Sequence, residues 1–181
     1  MKSRESLPVL AALVLGMSLG AVLPAAAQDT KGSHSAGIVA SDEVSAQDLG
    51  LPLYPGAHRY KDKSDDSSAV QLGLWGSGSG FKLVVLKLES DDSAEKVAAF
   101  YRKALAKYGK VLDCGGPKAP HAAEGKKSKE LTCDADEPKP GEQVFKSGTR
   151  EEQHVVGIQS SGGHTLFQLV YLEQRGVDDD K

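Results

Sequence analysis

The chain has 181 residues, of which 39% are hydrophobic and 26% are charged, and its formal net charge is −3 at pH 7. A mildly acidic chain without a basic stripe excludes a nucleic-acid-binding protein. The same charge excludes strong electrostatic attachment to anionic lipid. The length suits one domain with a sizeable core.

Residues 1–27 contain the three parts of a secretory signal peptide. Two basic residues stand near the start, an apolar run extends over residues 7–23, and three alanines precede Gln28. The run is about the shortest that spans a bilayer, and it contains two glycines and a proline, so a retained anchor is the less favoured alternative. We expect cleavage between Ala27 and Gln28, no stable membrane span in the mature chain, and a periplasmic or secreted location.

Residues 28–47 are small, polar and without periodicity, which predicts a disordered lead-in. A single domain is expected over residues 48–175, followed by a charged tail at residues 176–181. The domain begins with LGLPLYPGA, residues 49–57. Its two prolines and Gly56 predict an extended segment and a turn, because proline restricts φ and lacks a backbone donor.

The next segment, residues 61–68, is a charged turn. Three aspartates within residues 61–66 offer oxygen ligands to a cation. The turn lacks the central glycine and final glutamate of the twelve-residue calcium loop. A solvated turn is therefore favoured over a cation site, and we expect neither a metal nor a cofactor.

Two strands and a tight turn are predicted next. Residues 69–75 alternate apolar and other side chains, and residues 81–88 are rich in apolar and β-branched side chains. The GSGSG segment between them, residues 76–80, predicts a hairpin. The alternative is a phosphate-binding loop, which requires a helix after the glycines, whereas here a strand is predicted to follow.

One long amphipathic helix is predicted over residues 92–108. Asp92 and Glu95 have the spacing of a capping box, and Gly109 is a suitable stop. We expect the apolar stripe to pack on the sheet, whose strands need cover, with a membrane-surface helix as the alternative. The stripe consists of Val97, Phe100, Tyr101, Ala104, Leu105 and Tyr108.

Cys114 and Cys133 are the only cysteines. An even number in an exported chain predicts a disulfide. The alternative of a redox or zinc pair lacks both a C-x-x-C motif and a second cysteine pair. The two cysteines belong to predicted strands at residues 110–114 and 130–134, which a polar loop connects.

Three more strands are predicted, at residues 143–149, 154–159 and 165–173. The short connections between them favour antiparallel pairing. The expected fold class is therefore α+β: a mainly antiparallel sheet of about five to seven short strands, with the one long helix, residues 92–108, packed on one face.

Four stretches of this chain are similar to small exported bacterial proteins of unknown function. They are LPLYPGA, AFYRKALAKYG, HVVGIQ and FQLVYLEQRG. The resemblance extends over roughly residues 49–176. It implies export and the fold described above, and it assigns no activity to any residue.

The chain contains no recognisable catalytic motif. Neither the G-x-S-x-G nucleophile elbow nor the zinc motif H-E-x-x-H occurs. The five histidines lie mostly in predicted loops and turns without ligand spacing. His154, beside Glu151 and Glu152, is the best single candidate for a hydrolase-type enzyme.

We therefore expect a non-enzymatic binding or interaction domain of the cell envelope, whose partner is an envelope protein or a small ligand. Both faces of residues 81–88 are apolar, whereas one helix covers one face, so the second face either binds this partner or self-associates. The alternatives are a hydrolase using loop residues around His154 and a cation-binding domain using residues 61–66. The candidate binding surface comprises Trp75, Gly76, Gly78, Gly80, Phe81 and His154.

Overall fold

The computed structural model describes residues 37–41, 43–61, 67–76, 78–122, 130–134 and 136–176. The predicted signal peptide, the first part of the lead-in, the aspartates of the acidic turn and nearly all of the charged tail lie outside these residues. The described residues all belong to one unit, His34–Lys181.

These residues form eight strands and two α-helices. Neither helix is long and apolar enough to cross a membrane. In chain order the elements are β1 (Gly37–Ser41), α1 (Ala46–Leu49), β2 (His58–Arg59), β3 (Ala69–Trp75), β4 (Gly80–Ser90), α2 (Ala94–Leu105), β5 (Leu112–Asp113), β6 (Glu142–Gly148), β7 (Glu152–Ser161) and β8 (His164–Arg175), with a 3-10 turn, Ala106–Tyr108, directly after α2.

The strands form one antiparallel sheet. Seven of them follow one another in the order β1-β3-β4-β8-β7-β6-β5, and the two-residue β2 pairs with β4 beyond the end of β3. The predicted antiparallel pairing is confirmed. The central strands are longer than predicted, because β4 pairs with β8 along its whole length and with β3 and β2 in succession on its other edge.

The predicted long helix is present as α2 and the 3-10 turn that follows it. It packs on β6 and β7, while α1 packs on β4 and β8. Each fully buried large side chain of the stripe contributes roughly 1.5–3 kcal/mol. Val97, Tyr101 and Leu105 are fully buried, and Phe100, Ala104 and Tyr108 pack against the same core.

The start of α2 differs from the prediction. Its N-cap is Ser93, and no side chain caps the helix there. Asp92 instead accepts a hydrogen bond from the Tyr54 hydroxyl at 2.8 Å and one from Lys96 at 2.8 Å. Lys96, and then Tyr54, lower the pKa of the Asp92 carboxyl. This carboxylate therefore attaches the extended segment around Tyr54 to the first turn of α2.

β1 and the first two residues of α1 lie within residues 28–47, where the composition predicts disorder. β1 has no alternating pattern of its own, and its conformation comes from pairing with β3, where Ala40 lies opposite Leu72. α1 begins with a capping box formed by Ser45 and Asp48. It ends at Gly50, whose φ of 64° is in the left-handed region that favours glycine.

The disulfide predicted between Cys114 and Cys133 is formed, with the two Cα atoms 5.3 Å apart. Residues 130–134 are not a strand, however. The backbone N–H of Cys133 donates to the carbonyl of Pro120 within the loop, and β5 pairs with β6 instead. The cysteine is thus held by loop backbone and not by a sheet ladder.

A second, smaller core lies around this disulfide. Its buried members are Leu112, Cys114, Cys133 and Val144. Val144 is next to Phe145, which faces the α2 side, so successive residues of β6 point into the two different cores. The disulfide-bonded loop therefore covers the second face of the sheet at the end formed by β5, β6 and part of β7.

Candidate binding surfaces of the β3–β4 hairpin

The glycine-rich segment after Trp75 is a hairpin turn. β3 and β4 pair from Ala69 opposite Leu86 to Trp75 opposite Gly80. The N–H of Gly76 donates to the carbonyl of Ser79 at 2.9 Å, which closes the turn. A strand follows these glycines, not a helix, so the requirement of the phosphate-loop alternative is not met.

Three aliphatic side chains in a row are exposed on the second face of the sheet. Val70, Leu72 and Leu74 alternate along β3 and are 42%, 37% and 46% exposed. Single exposed aliphatic residues are normal, whereas a contiguous set indicates a contact surface. We call these three residues the aliphatic stripe.

The aliphatic stripe continues onto β4. Phe81, Leu83 and Val85 lie opposite its members in the β3–β4 register and are only partly buried. The alternate residues of β4, from Val84 to Leu88, are in the main core. The prediction that residues 81–88 are apolar on two faces therefore agrees with the burial in the structure, and one of these faces is incompletely covered.

Between the disulfide-bonded loop and β4, the second face carries a groove of about 530 Å³. Val155, Gly157 and Val170 are among its lining residues. A Cβ atom at Gly157 would lie 3.0 Å from Oε1 of Glu142, so the groove is deepened where this side chain is missing. The second face thus has three regions: the end that the disulfide-bonded loop covers, the groove beside it, and the aliphatic stripe.

Trp75 lies on the opposite face of the hairpin, the face that carries α1 and α2. Its ring lies over Gly73, where a Cβ atom would be 2.5 Å from Cζ3 of the indole. Trp75 is nevertheless 48% exposed. A groove of about 380 Å³ surrounds it, and Lys82, Glu173 and Arg175 contribute charged side chains to this groove.

The carboxylate of Glu173 is held in place from two sides. The Tyr171 hydroxyl donates to its Oε2 at 3.1 Å, and Arg175 forms an ion pair with Oε1. Lys82 places its ammonium 5.4 Å from the centroid of the Tyr171 ring. Burial and then the hydrogen bond to Glu173 raise the pKa of Tyr171, so this phenol stays protonated and remains a donor.

His154, predicted from the sequence to belong to the candidate surface, lies in the core and is 1% exposed. Burial, and to a lesser degree the charge of Lys107, lower the pKa of its imidazole to about 4. Among the described residues, its Nδ1 has no hydrogen-bond partner. Ser147 lies opposite it in β6, and the hydroxyl of Ser147 donates a hydrogen bond to the carbonyl of Lys110.

Within the described ranges, no group of three or more His, Cys, Asp or Glu side chains is arranged to hold a metal ion. The acidic turn proposed as a cation site lies mainly at residues 62–66, outside those ranges.

No protein-family model, characterised protein or solved structure matches this chain.

The structure separates the residues of the predicted candidate surface into four places, of which the core position of His154 is one. Trp75 and Phe81 lie on opposite faces of the hairpin, and Gly76, Gly78 and Gly80 form or flank its turn. Lys82, Glu173 and Arg175, which join Trp75 in its groove, were not predicted. The alternation of apolar residues in β3 predicts the aliphatic stripe. No sequence pattern near Trp75 indicates that the end of β8 lies beside it.

Proposed function

We propose that the mature chain is an exported, non-enzymatic binding domain of the cell envelope, which contacts a partner protein through the aliphatic stripe and the adjoining side chains of β4. The observation that carries this proposal is the exposure of Val70, Leu72 and Leu74 in one unbroken row. Such a row on a folded domain favours contact with an apolar surface of another molecule.

Export is supported by two features of the chain. The N-terminal sequence has the composition of a signal peptide. The disulfide between Cys114 and Cys133 is of the kind that forms in oxidising compartments such as the periplasm. The resemblance to small exported bacterial proteins points to the same location.

Binding is favoured over hydrolysis because of the position of His154. A general base must lie within hydrogen-bond reach of the proton that it abstracts. The imidazole is buried and Tyr108 stacks on it. Within the part of the chain that the structure describes, its Nδ1 has no hydrogen-bond partner, and the hydroxyl of Ser147 donates to the carbonyl of Lys110.

The binding free energy that the aliphatic stripe can supply is estimated from the burial of its three side chains. Full burial of one aliphatic side chain contributes about 1.5–3 kcal/mol, and each of these three is partly buried already. Their combined contribution on binding is therefore on the order of a few kcal/mol. An interaction of this size suits a contact that also uses Phe81, Leu83 and Val85.

Cross-linking followed by affinity capture from envelope extract tests the proposal. The mature chain is compared with Leu72→Ser, in the stripe, and with Leu53→Ser, a matched control because Leu53 is 48% exposed but lies outside the hairpin. We expect the same captured protein with wild type and Leu53→Ser, and at least a fivefold loss with Leu72→Ser. Equal capture by all three proteins would contradict the stripe as the contact surface.

Sedimentation velocity distinguishes a second copy of this chain from a different partner. A concentration-dependent dimer that Leu72→Ser abolishes would identify the partner as the chain itself. A monomer at all concentrations, together with specific capture, would identify the partner as a different protein.

A further inference from the structure

Trp75 presents an aromatic ring to solvent on the face of the hairpin opposite the aliphatic stripe. The indole lies against the backbone of Gly73, where a side chain would clash with it. Glycine in the middle of a strand weakens the strand and often marks a place where another group approaches the backbone closely. Here that group is the indole of Trp75 in the same strand, so Gly73 and Trp75 together form a flat apolar platform.

Charged side chains are aligned beside this platform by strand pairing. Gly73 lies opposite Lys82, and Lys82 lies opposite Glu173. Neighbouring strands are about 4.8 Å apart, so Lys82 and Glu173 originate about 5 Å and about 10 Å from the backbone of Gly73. A second row runs from Trp75 through Gly80 to Arg175. Since Gly80 has no side chain, the groove stays open between the indole and the guanidinium.

We propose that this groove binds a saccharide, with one pyranose ring stacked on Trp75 and its hydroxyls hydrogen-bonded by Lys82 and Glu173. The C–H face of a pyranose is flat and apolar, and it matches an exposed indole. Its hydroxyls both donate and accept, which fits a mixture of a donor-only ammonium and an acceptor carboxylate. The volume of about 380 Å³ lies within the usual range of small-molecule sites.

The charges in the groove argue against other ligand classes. An apolar peptide would bury Lys82 and Glu173 without replacing their hydrogen bonds to water, which is costly. An anion would be repelled by the carboxylate of Glu173. A cation would be repelled by the ammonium of Lys82 and the guanidinium of Arg175. A neutral polyhydroxyl ligand has a partner for each of these groups.

The carboxylate is also oriented before a ligand arrives. Tyr171 and Arg175 hold the two oxygens of Glu173, and the side chain is 22% exposed. A group fixed in this way loses little conformational freedom on binding. The proposed ligand contacts, Trp75, Lys82 and Glu173, lie on the face opposite the aliphatic stripe, although Leu74 and Phe81 also border the groove.

The chain contains a single tryptophan, so its fluorescence reports directly on the proposed site. Mature protein is titrated with maltose, cellobiose and N,N′-diacetylchitobiose, and it is co-sedimented with purified insoluble peptidoglycan. We expect a saturable change in emission with at least one disaccharide, co-sedimentation with the glycan, or both. Response to the disaccharides alone would identify a free sugar as the ligand, and co-sedimentation alone would identify a polymeric glycan.

Three variants determine whether binding occurs at this groove. Trp75→Ala is expected to reduce binding at least tenfold in co-sedimentation and calorimetry, and Glu173→Gln at least fivefold while the fluorescence probe is retained. Leu53→Ser, which changes an exposed side chain outside the hairpin, is the control and is expected to bind as wild type. If Trp75→Ala does not fold, Lys82→Ala replaces it, with an expected loss of at least threefold. Absence of binding to every probe, or binding unaffected by Trp75→Ala and Glu173→Gln, would overturn the proposal.

Discussion

The imidazole of His154 is stacked on the phenol ring of Tyr108, with the ring centroids 3.6 Å apart and the ring planes 13° apart. Tyr108 ends the 3-10 turn after α2, and its hydroxyl donates to the carbonyl of Gly50 at the end of α1. Lys107 donates to the same carbonyl at 2.6 Å. The stacked pair therefore joins both helices to β7.

Stability is expected to fall on acidification because His154 is buried in its neutral form. Its pKa is about 4 in the folded protein, against an ordinary value of 6.5, so the unfolded chain binds the proton first. The rings of Tyr108 and Tyr171 face the imidazole, and the charge that acts on it is that of Lys107, a cation that disfavours an imidazolium. The contribution of neutral His154 to the free energy of unfolding is fully present above pH 6.5 and is lost as the pH falls towards 4. The total loss is roughly 3 kcal/mol.

Urea unfolding at pH 7.0, 5.5 and 4.5 measures this loss. His154→Phe keeps an aromatic ring against Tyr108 but cannot take up a proton, so its stability should change less over this interval than that of the wild type. His58→Phe, at an exposed position of β2, is the control and should keep the wild-type slope. Equal slopes for all three proteins would show that His154 is not the group responsible.

The contact between Gly50 and the stacked pair leaves no space for a side chain. A Cβ atom at Gly50 would be 2.5 Å from the Tyr108 hydroxyl and 2.9 Å from Nε2 of His154, in a backbone with φ of 64°. We expect Gly50→Ala to lower the free energy of unfolding by about 2–4 kcal/mol, from backbone strain and overpacking together.

Gly56 provides a matched control for this substitution. Its φ of 76° is also left-handed, but nothing lies within 4 Å of its Cβ position. Gly56→Ala should therefore show the backbone strain alone, about 1 kcal/mol. Chemical denaturation of the two variants separates strain from steric contact, and equal losses would mean that the Gly50 contact contributes nothing.

The packing of α2 on the sheet is tested by Leu105, which is fully buried in the main core. Leu105→Ala removes buried methyl groups and leaves a cavity, which should lower the unfolding free energy by about 2–5 kcal/mol. Leu53→Ala removes the same atoms from a side chain that is 48% exposed, and it should cost under about 1 kcal/mol. Similar melting temperatures for the two variants would contradict the helix-on-sheet core.

A buried ion pair lies under the disulfide-bonded loop. Lys146 of β6 pairs with Asp136, and their side chains are 6% and 24% exposed. Asp136→Asn leaves the ammonium buried without its counter-charge and should cost about 3–5 kcal/mol. Lys146→Met leaves the Asp136 carboxylate without its counter-charge, but this side chain is 24% exposed and keeps part of its hydration, so the loss should be smaller than that of Asp136→Asn.

The double variant Asp136→Asn/Lys146→Met provides the internal check. It should recover most of the stability that Asp136→Asn loses, because no unpaired charge remains in the core. Unfolding curves of the four proteins form a double-mutant cycle, and additive losses would show that the pair is not coupled.

Much of the architecture could be predicted from short sequence patterns. The alternation in residues 69–75, the run at residues 81–88 and the stripe from Val97 to Tyr108 each repeat within one element, so they predicted β3, β4 and α2 without knowledge of the rest of the chain. The pairing of Cys114 with Cys133 followed from their being the only two cysteines.

The remaining features depend on contacts between residues far apart in the chain. β1 is a strand because β3 supplies its hydrogen bonds, and His154 is buried because α1 and the end of α2 lie over it. Glu173 and Arg175 reach the groove of Trp75 only through the pairing of β4 with β8. Local periodicity reports which face of an element is apolar, whereas the assignment of each face to a core, a groove or solvent requires the long-range pairing of strands and the docking of helices on them.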